Sequence, residues 1–230
     1  MKSLYLLVNF FTIIIPFIFS FHPKIRFHKS FKAFFLSAAL VGIVFALWDA
    51  MFTRMGVWNF NPDYLMGIFL LNLPVEEWLF FVCIPFSCVF TYFCLDKFYN
   101  LQWNPKVEAA FCIAFSVILI IVGIYFYDRI YTLITFLSTA AVCLYLKFIA
   151  KVDWFGKAAF VYGILLIPFF MVNGVLTGTG IEGAVVRYNP SDHMGIRALT
   201  IPIEDAFYGF ELILLNLYFY KLFQRKFSNP

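Results

Sequence analysis

The chain has 230 residues, of which 63% are hydrophobic and only 13% are charged, and its mean hydropathy is +0.87. A water-soluble domain of this length cannot bury so much apolar surface, so the composition indicates a membrane protein. The net charge of +4 and the dispersed aromatic residues form no pattern typical of nucleic-acid binding, and we expect no nucleic-acid partner.

Apolar segments of about 20 residues, the length that crosses a bilayer as a helix, occur seven times. They cover residues 4–21, 31–52, 75–95, 107–127, 130–149, 158–177 and 203–223. The first segment is too long for a signal peptide and lacks a good cleavage site, so we expect it to remain as a helix. The sequence therefore predicts an all-α membrane protein with seven transmembrane helices.

A segment that precedes the third predicted helix occurs again before the seventh. Shifting the sequence by 128 residues aligns residues 61–80 with residues 189–208 without a gap. Eight of the 20 aligned positions are identical: Asn61/Asn189, Pro62/Pro190, Met66/Met194, Gly67/Gly195, Ile68/Ile196, Leu71/Leu199, Pro74/Pro202 and Glu76/Glu204. Glu77 aligns with Asp205, so the second position of the acidic pair stays acidic. Such an internal repeat predicts that two similar units build the fold.

The same shift places the fifth, sixth and seventh predicted helices on the first, second and third. We therefore expect a first three-helix unit in residues 1–105, a linking helix in residues 106–128 and a second unit in residues 129–230. Four helices separate equivalent spans, and because this number is even, the two units cross the membrane in the same direction. The prediction is a parallel repeat with a site between its halves.

Lysine and arginine residues set the expected orientation. Twelve of the 17 fall on one side of the predicted membrane: Lys24, Arg26, Lys29, Lys32, Lys97, Lys106, Lys147, Lys151, Lys157, Lys221, Arg225 and Lys226. The excess of positive charge identifies this side as cytoplasmic. We expect a protein of the bacterial inner membrane with its N-terminus outside, its C-terminus in the cytoplasm and the two repeated loops outside.

Both repeated segments end in an acidic pair at the start of a membrane helix, Glu76-Glu77 and Glu204-Asp205. A glutamate two residues after a proline can cap the helix, and that structural role is the competing interpretation. Adjacent residues project about 100° apart on a helix, so both acids cannot share one capping role. Because ionisable groups at membrane depth are costly and mostly functional, the pattern favours an acid/base site.

Two Pro-x-Glu-Glu/Asp motifs, Pro74-Val75-Glu76-Glu77 and Pro202-Ile203-Glu204-Asp205, each follow an Asn-Pro turn and open a membrane helix. In this the chain resembles the integral-membrane lycopene cyclases of bacteria and fungi, whose two halves occur as separate subunits or fused in one chain. The resemblance covers nearly the whole chain. It implies that lycopene or a related linear carotenoid is the substrate, and that its linear ends are closed to β-ionone rings, giving γ- or β-carotene.

Ring closure without net redox needs a proton donor, a proton acceptor and a surface that stabilises a carbocation. We assign Glu76 and Glu204 as the central acid/base pair, assisted by Glu77 and Asp205. Residues near these acids are assigned to substrate binding or support, with ordinary packing, ion pairing or helix-end solvation as the alternatives: Trp48, Asp49, Arg54, Asn72, Trp78, Asn173, Arg197, Phe207 and Tyr208.

A second functional class stays open, because a small transporter can have the same arrangement of three, one and three helices, with a solute site between the repeats. No glycine-rich dinucleotide fingerprint follows a strand, and the five cysteines show no ligand spacing. We therefore expect no flavin, nicotinamide or metal cofactor. The oligomeric state stays open between a monomer and a homo-oligomer.

Overall fold

The computed structural model describes residues 2–228, and this range forms seven α-helices. They are α1 (Leu4–Phe19), α2 (Phe31–Met55), α3 (Val75–Phe98), α4 (Pro105–Tyr125), α5 (Ile130–Leu144), α6 (Phe155–Thr177) and α7 (Glu204–Ser228). A π-helical turn, Tyr145–Ile149, extends α5. Each helix overlaps one predicted segment, so the prediction of a mainly helical fold with seven helices is confirmed.

Five helices of the described range are long and apolar enough to cross a membrane, namely α2 to α6. α1 has 16 residues, and a helix of that length spans roughly 24 Å, less than the roughly 30 Å of a hydrocarbon core. α7 is long enough, but Glu204, Asp205, Glu211 and Asn216 lower its hydropathy. Length and composition therefore support five of the seven predicted spans.

The two long loops contain short strands that the all-α prediction did not include. They are β1 (Trp58–Phe60), β2 (Phe69–Leu70), β3 (Leu73–Pro74), β4 (Val186–Tyr188), β5 (Arg197–Ala198) and β6 (Ile201–Pro202). β2 pairs with β3, and β5 pairs with β6, as antiparallel hairpins directly before α3 and α7. Strands of two or three residues are too short to show an alternating pattern in the sequence, which explains why the prediction missed them.

β1 and β4 join the two loops as an antiparallel pair. Asn59 lies opposite Arg187, its equivalent 128 residues later, while Trp58 pairs with Tyr188 and Phe60 with Val186. The flanking backbone bonds follow the same pattern, since the amide of Asn61 donates to the carbonyl of Val185 and that of Asn189 donates to Val57, both at 2.8 Å. A local two-fold axis that passes between Asn59 and Arg187 therefore relates the backbone of β1 to that of β4.

The helix contacts follow the repeat in part. α1 packs along α3 and α5 along α7, while the second helix of each unit reaches the third helix of the other, α2 on α7 and α6 on α3. The α2–α7 contact is extensive and the α6–α3 contact is small. α4 packs mainly on α5, at the edge of the bundle. Because the second helix of the second unit packs less extensively than its equivalent in the first unit, space remains beside α6.

Candidate active site

Each acidic motif begins at a hairpin that fixes the first turn of its helix. Pro74 ends β3 and Pro202 ends β6, and the helix follows within two residues. The backbone turns sharply at Gly67 and Gly195, which have φ values of +83° and +84°. Side chains other than glycine rarely adopt this left-handed region, so the identical glycines in both repeats have a conformational reason.

The first acid of each motif binds the backbone of its own loop. Glu76 Oε1 accepts the amide of Met66 at 2.7 Å, and Glu204 Oε1 accepts the amide of Met194 at 2.8 Å. The Thr132 hydroxyl also donates to Glu204 Oε1, at 2.5 Å. Both glutamates are fully buried. These two carboxylates tie each loop to the start of its helix, and neither lines the large cavity described below.

The second acid of each motif points to the other side of its helix and lines a cavity. Tyr5 donates to Glu77 Oε2 at 2.6 Å, and Tyr131 donates to Asp205 Oδ1 at 2.6 Å. The two tyrosines lie near the starts of α1 and α5, so the arrangement repeats in both halves. Tyr188 adds a second bond to Asp205, from its hydroxyl to Oδ2 at 2.9 Å.

A third carboxyl group, from Asp49 near the end of α2, lies beside Glu77. Tyr208 donates to Asp49 Oδ1 at 2.7 Å, and the carboxyl groups of Asp49 and Glu77 are neighbours in the cavity wall. Thr177 occupies the position equivalent to Asp49 in the second repeat, and Asp205 is bound by the hydroxyl groups of Tyr131 and Tyr188. The two halves therefore offer different surroundings: a carboxyl pair on one side and a carboxylate with two tyrosine donors on the other.

The cavity that these acids line has a volume of about 900 Å³. Glu77, Asp205 and Asp49 lie near the hairpin ends of their helices, and the rest of the wall is mainly apolar. Aromatic residues surround the acids: Trp58, Phe60, Phe80, Tyr131, Tyr188 and Tyr208. The volume lies in the range of small-molecule sites, which are mostly apolar with a few convergent polar groups.

The pKa of the Tyr188 phenol lies well above its usual value, first because of burial and then because of the neighbouring Asp205 charge. The hydroxyl therefore keeps its proton and acts as a donor to Asp205. Burial and the adjacent Arg197 guanidinium lower the pKa of His193, which accepts the amide of Gly195 at 3.0 Å. The His193 ring is thus a neutral part of the second loop.

The supporting residues predicted from sequence divide into two groups. Asp49, Asn173 and Tyr208 line the cavity. The others lie elsewhere. Trp78 Nε1 donates to the Leu70 carbonyl at 3.2 Å and Asn72 Nδ2 to the Ala50 carbonyl at 3.0 Å, so these two side chains support the first loop.

The remaining predicted residues lie behind or outside the cavity wall. Phe207 packs on Phe136 with ring centroids 4.7 Å apart, and Trp48 packs behind Tyr208 at 5.2 Å. Arg54 is exposed at the end of α2. The guanidinium of Arg197 contacts His193 Nε2 at 3.1 Å and donates to the Thr200 carbonyl at 2.6 Å, so this side chain lies within the second loop.

The sequence prediction missed the tyrosines that bind the acids. Tyr5 and Tyr131 are 126 residues apart, two fewer than the offset of the acidic motif, so an ungapped alignment places Tyr5 opposite Leu133. A separate alignment of α1 with α5, shifted by 126 residues, would have aligned Tyr5 with Tyr131. Tyr188 follows no repeated pattern, because its equivalent in the first loop is Phe60.

Comparison with known proteins identifies the family. A family model described as lycopene cyclase matches residues 2–95 and 128–223 of the chain. The two matched regions confirm the predicted internal repeat and leave the segment of α4 between them. No curated protein and no solved structure matches the chain. Since the family model covers most of its length, the chain belongs to the lycopene cyclase family.

Proposed function

We propose that this protein closes the linear ends of lycopene to β-ionone rings by proton-initiated cyclisation without net redox. The observation that carries the proposal is the set of three carboxyl groups, Glu77, Asp49 and Asp205, at one end of a large apolar cavity. An apolar cavity suits a hydrocarbon substrate, and carboxyl groups are the donor and acceptor that ring closure needs. Membership of the family supports a carotenoid as the substrate.

Glu77 and Asp49 together form the proton donor. Two neighbouring carboxyl groups inside an apolar cavity repel each other when both are ionised, so we assign one shared proton to the pair. Tyr208 stabilises the charge that remains on Asp49 through its 2.7 Å hydrogen bond. The shared proton is transferred to a carbon of the terminal double bond, and a carbocation forms at the other carbon of that bond.

Ring closure follows when a neighbouring double bond of the substrate attacks the cation. This step forms one carbon–carbon bond and moves the positive charge into the new ring. Aromatic faces of the cavity, among them Trp58 and Phe80, stabilise the charge in the meantime.

Asp205 is the proton acceptor. Its carboxylate receives hydrogen bonds from Tyr131 and Tyr188, and such bonds stabilise the ionised form. The carboxylate removes a proton from a ring carbon, and the remaining electron pair forms the double bond of the ionone ring. One proton enters the substrate and one leaves, so the product is an isomer of the substrate and the proposal requires no cofactor.

Our sequence prediction gave the central role to Glu76 and Glu204, with Glu77 and Asp205 assisting. The proposal reverses these roles, because the carboxylates of Glu76 and Glu204 bind loop amides. Glu76 and Glu204 contribute to catalysis only by holding Glu77 and Asp205 in position. Asn72, Trp78 and Arg197 support the loops, and Asn173 contributes a polar group to the cavity wall.

We further propose the arrangement of three, one and three helices, with the units at residues 1–105 and 129–230 and the linking helix between them. The matching hairpins, the two-fold relation of β1 and β4, and the matched regions of the family model support this division. The distribution of Lys and Arg supports an inner-membrane protein with its N-terminus outside and its C-terminus in the cytoplasm.

The test is to express the chain in a lycopene-accumulating bacterium and to separate the extracted pigments by chromatography. Wild-type protein is expected to convert lycopene to γ- or β-carotene, and Glu77→Gln and Asp205→Asn to leave lycopene unchanged. Glu182→Gln is the matched control, because Glu182 is an exposed acid of the second loop outside the cavity lining. Unchanged lycopene from folded, membrane-inserted wild-type protein would refute the proposal.

A further inference from the structure

We propose that the carotenoid enters the cavity sideways from the bilayer through a gap between α1 and α6, one end of the molecule at a time. This inference rests on the proposed function and specifies how its substrate reaches the acids. The pseudo-symmetric position between α5 and α2 is closed, since Phe52 of α2 packs on Tyr131 of α5 with ring centroids 6.2 Å apart and the residues by which these two helices line the cavity, in the described range, are both buried. The protein therefore has one entrance and one set of reacting acids, although its two halves are repeats.

The lining of the cavity is one-sided. α1 and α6 supply 18 of its residues, whereas their equivalents in the other repeat, α5 and α2, supply only Tyr131 and Asp49. In the described part of the chain, the lining residues that are also exposed all belong to α1 or α6: Leu7, Phe11, Ile15, Pro168 and Met171. The cavity thus reaches the lipid-facing surface along these two helices.

The exposed lining residues form an entrance suited to a hydrocarbon. Phe11 is 66% exposed, Ile15 63% and Met171 70%, and all three are apolar. A polar solute would find no hydrogen-bonding partner among these three side chains. A polyene would exchange its apolar contacts with lipid for similar apolar contacts with the protein. Along α1 the lining extends from Leu4 to Pro16, which corresponds to roughly 18 Å of helix. A carotenoid is considerably longer, so only one end fits and the rest of the molecule stays in the bilayer.

Aromatic packing closes the equivalent position in the other half. Phe45 of α2 packs on Tyr208 with centroids 5.0 Å apart and on Phe81 at 6.2 Å. The equivalent of Phe81 in the second repeat is Gly209, which lines the cavity opposite Tyr162. A Cβ at position 209 would already lie 3.0 Å from the Tyr162 hydroxyl. The Phe81 ring fills the space between α2 and α3, whereas position 209 carries no side chain and Tyr162 of α6 lies directly against it.

A single entrance has a consequence for the order of reactions. After the first ring forms, the other end of the substrate still lies in the bilayer, far from the acids. The monocyclic product must leave and re-enter in the opposite direction before a second ring can close. Free γ-carotene is therefore either the final product or a released intermediate.

The test compares tryptophan substitutions at two equivalent lipid-facing positions, Met171→Trp at the entrance and Ile43→Trp on α2. Ile43 is 54% exposed and lies outside the cavity lining, so its variant controls for a bulky residue at the lipid surface. Initial rates are measured with purified protein in liposomes containing low lycopene concentrations. We expect Met171→Trp to lower the rate about tenfold, because the larger ring narrows the entrance, and Ile43→Trp to stay within about twofold of wild type.

A second measurement supplies isotopically labelled lycopene together with excess unlabelled γ-carotene. If γ-carotene is released between the two cyclisations, the unlabelled γ-carotene strongly dilutes the label in β-carotene. If the protein forms only one ring, γ-carotene accumulates as the end product. Equal rates for the two tryptophan variants, or undiluted label in β-carotene, would overturn the single entrance. Wild-type protein that converts no lycopene would instead refute the proposed function itself, so the two failures are distinguishable.

Discussion

The adjacent glutamates at the start of α3 give the sharpest test of the proposed chemistry, because Glu76→Gln and Glu77→Gln make the same chemical change one residue apart. Both side chains are buried, and glutamine has nearly the volume of glutamate. The two carboxylates differ in what they contact: Glu76 binds the Met66 amide, whereas Glu77 lines the cavity and binds Tyr5. The variants therefore separate loop support from proton transfer.

The structure sets the size of each effect. Glutamine at position 77 can still accept the Tyr5 hydroxyl and can donate to Asp49, so the fold keeps its hydrogen bonds. It cannot donate a proton to carbon, and losing a general acid lowers the rate by about 10²–10⁴-fold. Glutamine at position 76 keeps an oxygen for the Met66 amide, so we expect a rate within about threefold of wild type and a stability loss of about 1 kcal/mol.

The assay measures the initial rate of lycopene conversion by purified protein in liposomes and the thermal midpoint of the same samples. Glu76→Ala serves as a further control, since it leaves the Met66 amide without its carboxylate partner and costs about 1–3 kcal/mol. We expect it to lower the thermal midpoint more than either glutamine variant. A Glu76→Gln protein with an unchanged midpoint and a rate as low as that of Glu77→Gln would refute the reversal of roles.

Four further variants test other parts of the site. Asp205→Asn removes the proton acceptor and is expected to lower the rate about 10²–10⁴-fold without lowering the protein level in membranes. Tyr188→Phe removes one of the two tyrosine donors to Asp205, and we expect a loss of about fivefold in rate, because one such bond contributes about 1 kcal/mol. Gly195→Val forces a branched side chain into a left-handed backbone at φ +84° and is expected to cost about 1–2 kcal/mol, measured as a lower thermal midpoint. The lowered pKa of His193 means that the unfolded chain binds more protons than the folded one below about pH 6.5, so stability falls as the pH falls through that range, and His193→Gln reduces this slope.

Each of these expectations has an outcome that contradicts it. An Asp205→Asn protein that cyclises lycopene at the wild-type rate would exclude Asp205 as the acceptor. Full activity of Tyr188→Phe would show that the Tyr188 hydroxyl does not contribute to the reaction. An unchanged midpoint for Gly195→Val would show that the loop tolerates another backbone conformation. Identical pH profiles of the thermal midpoint for wild type and His193→Gln would locate the acid sensitivity elsewhere.

Much of the helical fold was predictable, because long apolar segments specify helices almost regardless of their neighbours. The acidic motif was also found from the sequence, since Glu76, Glu77, Glu204 and Asp205 repeat at one offset. Sequence could not decide which acid of each pair faces the cavity. That choice depends on the rotation of α3 and α7, which the hairpins fix by binding Glu76 and Glu204 to loop amides.

The partners of the cavity acids were harder to predict for a different reason. Tyr5 and Tyr131 reach the acids from helices more than 70 residues away in the chain, so no local pattern links them to the motif. Asp49 was named as a candidate, but its position beside Glu77 follows from the packing of α2 against α7 and α3. In a chain with 22% aromatic residues, composition alone cannot distinguish cavity tyrosines from packing ones.

The contrast between Phe81 and Gly209 has a consequence for genetic encoding. If two identical copies of one half formed this bundle, each substitution would be present on both sides, and the assembly would have two open positions or none. A fused chain is free of that restriction, because equivalent sites mutate independently. Joining the repeats in one chain therefore allows one half to close its side of the cavity while the other half forms the entrance.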